Sequence, residues 1–363
     1  MIRLRYARAA TALVALSLGA AACSSNSSSS SSSSGSIAAS NTAPAPKVSG
    51  TLNGSGSTFQ ASFDQAVIEG FKKDQPGVAV TYSGGGSGKG KTDLQGGVDQ
   101  FAGTDSLVKD ADKSKYTNGL LYWPIVAAPI TMSYNLSGVD KLILDAPTIA
   151  GIFQEQIKTW NDPAIGALNP GIKLPNTKIT PVHRSDASGT NNNFSNYLKK
   201  AAPDAFTLTA GDTTNWPADE VAGNGNPGVA SGIKQTSGAI GYVDFSDAKA
   251  SGLVFASIKN KSGAVVAPSL DGTSAALSTA TLSPDLTYSP LNADGATAYP
   301  IATPTWIITA QKYSDANTLA ALKAFLTYIY GPGQGLASGV DFAKLPDSFV
   351  QQAKAQLIVL SAA

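Results

Sequence analysis

Cysteine occurs once in the 363-residue chain, at Cys23, and histidine once, at His183. A single thiol closes no disulfide within the chain and builds no thiolate metal site. One imidazole rules out a multi-histidine metal cluster, so no metal and no cofactor is expected. Charge is also scarce: 14% of residues are Asp, Glu, Lys or Arg, and the formal net charge is +1. Without a basic stripe or interleaved aromatic motif, nucleic acid is not an expected partner. Any anion held by this chain is held by local dipoles and one or two charges, not by bulk positive potential.

What is present begins with a targeting pattern. Arg3, Arg5 and Arg8 precede the apolar stretch Ala9–Leu18, followed by Gly19-Ala20-Ala21-Ala22-Cys23. Residues 1–22 read as a signal peptide, too short and interrupted for a spanning helix. Cys23 stands where a lipoprotein signal is cut, which makes it the expected site of lipid (palmitate-type) modification and membrane anchoring. Ala20 departs from the usual Leu of such signals, and a plain secreted protein is the alternative. Removing three Arg and no Asp or Glu takes the formal charge from +1 to −2. Residues 23–47 are dominated by serine and bury nothing, so they are expected to be a flexible tether spanning about 25–30 Å.

About 315 residues remain, enough for two domains with their own cores. Val48–Leu52 reads as a strand, and Phe63, Val67, Ile68 and Phe71 carry helical spacing. Between them lies the turn Asn53–Phe59. Gly77–Tyr82 and a glycine-rich turn, Ser83–Gly90, repeat the pattern; the glycine spacing matches neither a Walker loop nor a dinucleotide fingerprint. Val98–Ala102 leads into Gly103-Thr104-Asp105-Ser106, where Asp105 is either a helix cap or a buried acceptor. Tyr122–Tyr134 and Ala298–Ile308 are apolar, proline-containing runs suited to crossing between domains. Lys141–Phe153 looks helical, Gly223–Gly228 reads as a loop, and Gly238–Asp244 as a turn and strand. Leu319, Leu322, Phe325 and Ile329 mark a helix over Thr318–Tyr330, and Phe349–Leu360 a last one.

The most informative stretch is His183–Leu198. The buried strand Ile179–Val182 feeds Arg184, Asp186 follows, and Ser188-Gly189-Thr190 opens a helix carrying Phe194, Tyr197 and Leu198. A helix start leaves backbone N–H groups without intrahelical acceptors, at the positive pole of the helix dipole. With a guanidinium beside it, the arrangement suits a tetrahedral oxyanion. His183 alternates away from Arg184 and lacks a nucleophile or metal spacing, so it reads as structural.

Four motifs in order, Gly56-Ser57-Thr58-Phe59, Gly84–Gly90, Ala102-Gly103-Thr104-Asp105 and Arg184–Thr190, resemble the phosphate-binding protein of Pst-type phosphate ABC transporters. Lys158–Asp162, Gly238–Val243 and Leu345–Ser348 support the resemblance, which runs from about Leu52 to the C-terminus. It implies an α/β, two-lobed periplasmic-binding-protein fold, each lobe a mixed sheet flanked by helices, with the ligand in the interlobe cleft. Lobe I would be 48–128 plus 303–363, and lobe II 129–302. It implies a monomeric, extracytoplasmic, non-enzymatic receptor handing phosphate to permease subunits in the membrane. The implied ligands are Ser57, Thr58, Phe59, Ser87, Asp105, Arg184, Ser188, Gly189 and Thr190, with Asp186 holding Arg184. Lys89 stands where the family has a small residue, and reads as a solvated lysine.

Asp105 bears on which anion binds. Phosphate near neutral pH still carries a proton that a buried carboxylate can accept, whereas sulfate presents a bare oxygen and like charge. Such a mismatch discriminates by several kcal/mol. The alternatives are a binder of another oxyanion, sulfate or molybdate, and a secreted phosphatase. The phosphatase lacks a nucleophile–base pair or a metal cluster. A surface-antigen or adhesion role would coexist with transport.

Overall fold

The computed structural model describes residues 47–363. The expected signal peptide 1–22, the lipidated Cys23 and all but the last residue of the tether 23–47 lie outside the described residues.

The first half is built from β1 (Gly50–Gly56), α1 (Ala61–Asp74), β2 (Val78–Gly84), α2 (Ser87–Gln95) and β3 (Phe101–Thr104). In α1, Phe63, Val67 and Phe71 recur every four residues and are buried, so one stripe of the helix packs on the sheet. Next comes β4 (Leu121–Tyr134), buried along its whole length after Leu121. Both of its faces are covered, which is why it reads as a continuous apolar run rather than an alternating one.

The second half contains α3 (Ala146–Phe153), β5 (Thr180–Arg184), α4 (Gly189–Ala201), β6 (Val221–Gly223), α5 (Gly225–Gln235) and β7 (Ala239–Asp244). The chain then returns to the first half through β8 (Ala302–Thr309) and α6 (Ala316–Ile329), and ends with α7 (Asp347–Gln356). The sheet order is β2-β1-β3-β8-β4-β7-β5-β6, with two short strands also pairing with β4.

This order places the site. β1 lies between β2 and β3, parallel to both, and β5 lies between β7 and β6, again parallel to both. In each half, the chain leaves the middle strand to build one neighbour and returns to build the other. Open α/β sheets bind ligands at such a reversal, outside the carboxyl ends of the strands. The two reversals fall at Ser57–Phe59 and Ser185–Thr190, the turns singled out from sequence. The halves share β4: Leu121–Pro129 pairs antiparallel with β8, and Ile130–Tyr134 pairs antiparallel with β7. The crossing expected of the Tyr122–Tyr134 run is therefore made by one uninterrupted strand.

Three local expectations need correction. Lys141–Phe153 is not one helix: Ile143–Leu144 pairs as a strand with Ser257–Ile258, and the helix begins only at Ala146. Asp145 sets that start by accepting from the Thr148 N–H, with Pro147 in the first turn. Gly223–Gly228 is not a loop but the end of β6 and the start of α5. The last helix stops at Gln356 and continues as a 3-10 turn, Leu357–Val359.

The core is aromatic, and the polar edges of its three most buried indoles are satisfied. Trp123, Trp160 and Trp306 are fully or almost fully buried. Their indole N–H groups donate to Thr309 Oγ1 (2.8 Å), Gly238 O (3.0 Å) and Leu286 O (3.0 Å).

Candidate oxyanion site

Strands from both halves end at one place. The residue after β1, Ser57, donates through Oγ to both carboxylate oxygens of Asp105, at 2.7 and 2.6 Å. Asp105 directly follows β3 and is 2% exposed. Ser87, at the start of α2, accepts from the Asp105 N–H (3.1 Å) and lies 3.5 Å from Oδ2. No helix begins at Asp105, so of its two sequence readings the structure selects the buried acceptor. Burial pushes its carboxyl up to about 6, against hydrogen bonds from Ser57 and Thr305 and the charges of Arg184 and Lys91, which pull it down.

From the other half, Arg184 ends β5 with its side chain 1% exposed. Nε donates to Asp186 Oδ1 (2.8 Å), Nη2 donates to Asp186 Oδ2, and Nη1 donates to Thr190 Oγ1 (3.2 Å). Burial works to raise the Asp186 carboxyl, but the Arg184 contacts outweigh it and hold the group below the ordinary range. A guanidinium has five N–H donors. Three are engaged here, leaving one on each terminal nitrogen.

Ser188 caps α4, its Oγ accepting from Asn191 N (3.1 Å). That leaves Gly189 and Thr190 as the first-turn N–H donors of the helix. Gly189 sits hard against the first half: a Cβ there would stand 2.5 Å from Ser87 Oγ and 2.7 Å from Asp105 Cβ. The helix mouth can approach Asp105 only because this residue has no side chain. Gly86 and Gly88 of the second glycine-rich turn have the same explanation. Gly86, at φ +87°, lies where a Cβ would meet Asp186 Oδ2 at 2.2 Å, and Gly88 N donates to Ala187 O at 2.9 Å. The second glycine-rich turn thus serves close backbone approach between the two halves.

Beneath Arg184 lies an aromatic floor. Phe194 stacks on Tyr242 with centroids 4.3 Å apart, and Phe153 and Trp216 complete the cluster. Tyr242 Oη accepts from Arg184 N (2.8 Å) and donates to Asn191 Oδ1 (2.6 Å), which also accepts from Trp216 Nε1 (3.0 Å). The strand end and the helix start are therefore fixed to the same phenol.

The structure brings Ser57, Ser87, Asp105, Gly189, Thr190 and Arg184 together, with Thr58 joined to them through Asn226. The Phe59 N–H donates to Ser57 Oγ (3.0 Å), and its ring is wholly buried against Phe342. His183 is half-buried, with Nδ1 2.9 Å from Arg184 O. Lys89 pairs with Asp93 on the surface, as a solvated lysine does.

Sequence reasoning missed three groups. Asn226, fully buried, bridges the halves: its N–H and side-chain amide donate to Thr58 Oγ1 (3.0 and 3.2 Å), and the amide also reaches Thr190 Oγ1 (3.1 Å). The Asn-Pro pair at the start of α5 was the available signal. Thr305, a buried hydroxyl in the apolar strand β8, donates to Asp105 Oδ1 at 2.7 Å. Lys91 pairs with Asp212 at 2.7 Å, and Asp212 O accepts the Ser188 N–H.

Residues 41–332 match the PBP superfamily domain. The phosphate-binding protein PstS 3 of Mycobacterium leprae is 36% identical over 82% of this chain and 84% of its own. PstS of Xylella fastidiosa is 34% identical over 88% of each. A high affinity periplasmic phosphate-binding protein, PfluDING, solved with phosphate bound, superposes with a TM-score of 0.72 over 85% of this chain and 94% of its own. At 23% identity that likeness is one of fold, the two-lobed α/β architecture. The extent and level of identity to the PstS proteins establish that the chain belongs to the PstS phosphate-binding protein family.

Proposed function

We propose that the protein captures inorganic phosphate outside the cytoplasm and delivers it to the permease subunits of an ABC transporter, and that it does no chemistry on it. The observation that carries this reading is the opposition of Asp105 to Arg184 across the mouth of α4. One side offers a buried carboxylate acceptor, the other a guanidinium and backbone donors. That polarity fits an oxyanion that still bears a proton.

In this reading the phosphate oxygens take the Gly189 and Thr190 N–H groups, the free Arg184 donors, the Ser87 and Thr58 hydroxyls and the backbone at Thr58. Ser57 acts at one remove, since its hydroxyl hydrogen is engaged with Asp105, while Ser188 Oγ accepts from the Asn191 N–H and keeps its own hydrogen for the ligand. Asp186 holds the Arg184 fork. Residues 48–128 with 303–363 act as one lobe and 129–302 as the other. They hinge where β4 and β8 pass between them, with the protein working as a monomer. Cys23, lipid-modified, anchors the mature chain to the membrane, and the serine-rich segment lifts the lobes toward the permease.

Calorimetric titration of phosphate-freed protein at neutral pH tests the reading. Phosphate is expected to bind at least a hundredfold more tightly than sulfate; equal affinities overturn it. Gly189→Ala probes the closed geometry in the same assay. Because the added methyl meets Asp105 Cβ, phosphate affinity is expected to fall ten- to a hundredfold, the cost of roughly 1–3 kcal/mol of overpacking.

A further inference from the structure

Thr305 has one hydroxyl hydrogen and two side-chain oxygens within reach. Its Oγ1 lies 2.7 Å from Asp105 Oδ1 and also in contact with Gln60 Oε1. Beyond it, Gln60 Nε2 donates to Asp64 Oδ2 at 2.9 Å. All four side chains are buried: Gln60 and Thr305 completely, Asp64 to 1% and Asp105 to 2% exposure. The sheet places Thr305 here. The β4–β8 register slips between Thr305 and Trp306, skipping Ile125 beside Pro124, which has no N–H to give the ladder.

A buried chain of this kind has two complete hydrogen-bond arrangements. With Gln60 Oε1 toward Thr305, the Thr305 hydrogen goes to Gln60, and the contact with Asp105 needs a proton on Asp105; Asp64 is then the carboxylate. With the amide turned over, Gln60 Nε2 donates to Thr305 and Thr305 donates to an anionic Asp105. Gln60 Oε1 then needs a donor, and Asp64 supplies it only as the protonated acid. Either way, two carboxyls hold one proton between them.

We propose that Asp64, acting through Gln60 and Thr305, carries this proton and so keeps Asp105 a pure acceptor, making the three residues positioning groups for oxyanion specificity. The amide as it stands gives the first arrangement, and the charges around the chain favour turning it over. Arg184 from β5 and Lys91 from α2 act on Asp105 and stabilise its anion. Burial is the largest influence on Asp64, holding it well above the usual carboxylate range, and the neighbouring Asp105 raises it further. Tyr82 of β2, which donates to Ser57 O, stays a neutral phenol beside both carboxyls.

This inference rests on the phosphate reading, and its test separates the two. Sulfate is fully ionised across the accessible pH range, so its binding reports the protein's proton alone. In the wild type, sulfate affinity should be flat at low pH and break near pH 6, where Asp105 ionises, falling above it. Thr305→Val removes a hydrogen bond to the anion and is expected to move that break up by about one to two pH units. Thr305→Ser should restore it. Asp64→Asn, whose amide donates to Gln60 as the protonated acid does, should leave it in place. An unmoved break in Thr305→Val overturns the proposal. So does a break lowered by a unit or more in Asp64→Asn, because Asp64 was then charged. Thr305→Ala removes the same hydroxyl and replaces Thr305→Val if that variant does not fold. A wild type that binds no phosphate defeats the phosphate reading instead, whereas one that binds phosphate but shows no sulfate break keeps its proton on Asp105 and overturns the proposal.

Discussion

Replacing Arg184 by methionine is expected to weaken phosphate binding by about a thousandfold, the upper part of the range for removing one partner of a buried, hydrogen-bonded charge pair. Two losses combine. The anion loses the guanidinium's remaining donors and its nearest full positive charge. Asp186, whose side chain is 9% exposed, loses the cation that holds it below the ordinary carboxylate range. An uncompensated carboxylate then stands behind the anion site and repels the ligand. Arg184→Lys keeps the charge but not the planar fork that reaches Asp186 and Thr190 together. It is expected to recover only part of the affinity, about tenfold. Asp186→Asn in the Arg184→Met background separates the two terms, because it removes the stranded charge without restoring the donors. Calorimetry or competition with a labelled phosphate sensor reads all three. A loss under tenfold in Arg184→Met would mean that the arginine serves only to hold Asp186.

The site was legible where a residue's type and its place at a strand end both carried meaning. The Arg184-to-Thr190 turn is local: the cation, the carboxylate and the helix start lie within seven residues, so sequence displays their geometry. Asp105 follows a short strand, and only its two readings needed the structure. The helix bearing Phe63, Val67 and Phe71 was legible because its period survives in the sequence. By contrast, Thr305 and Gln60 meet across 245 residues, and Asn226 and Thr58 across 168. No spacing rule links positions joined only by strand order. The Asn224–Gly228 stretch misled because glycine and asparagine lower helix propensity, yet Pro227 suits a first turn and packing supplies the rest. Lys141–Leu144 misled for the opposite reason: four residues with helical spacing are too few to outweigh an edge pairing with Ser257–Ile258.

Asp105→Asn should convert selectivity into tolerance and stabilise the unliganded protein at the same time. An amide presents a donor to a bare sulfate oxygen and an acceptor to the phosphate proton. Phosphate affinity is therefore expected to change by less than tenfold, while sulfate no longer meets a like charge. In the wild type, sulfate needs a protonated Asp105, so its affinity should fall about tenfold per unit above pH 6. At two units above that value the variant should bind sulfate about a hundredfold more tightly than the wild type, with no pH dependence from this group. Stability follows with its own sign. The folded protein holds the Asp105 proton more tightly than the unfolded chain does, since burial raises the carboxyl from 3.8 to about 6. The ionised group therefore costs nothing below about pH 3.8, progressively more between the two values, and its full amount above about pH 6. That full amount is about 3 kcal/mol for a shift of roughly two units. Removing the charge should raise the melting temperature of phosphate-free protein at alkaline pH by about 4 °C, with the difference vanishing toward pH 4. A variant that is less stable at every pH would show that the carboxylate's hydrogen bonds from Ser57 and Thr305 outweigh its burial, and the carboxyl would then titrate below 3.8 rather than near 6.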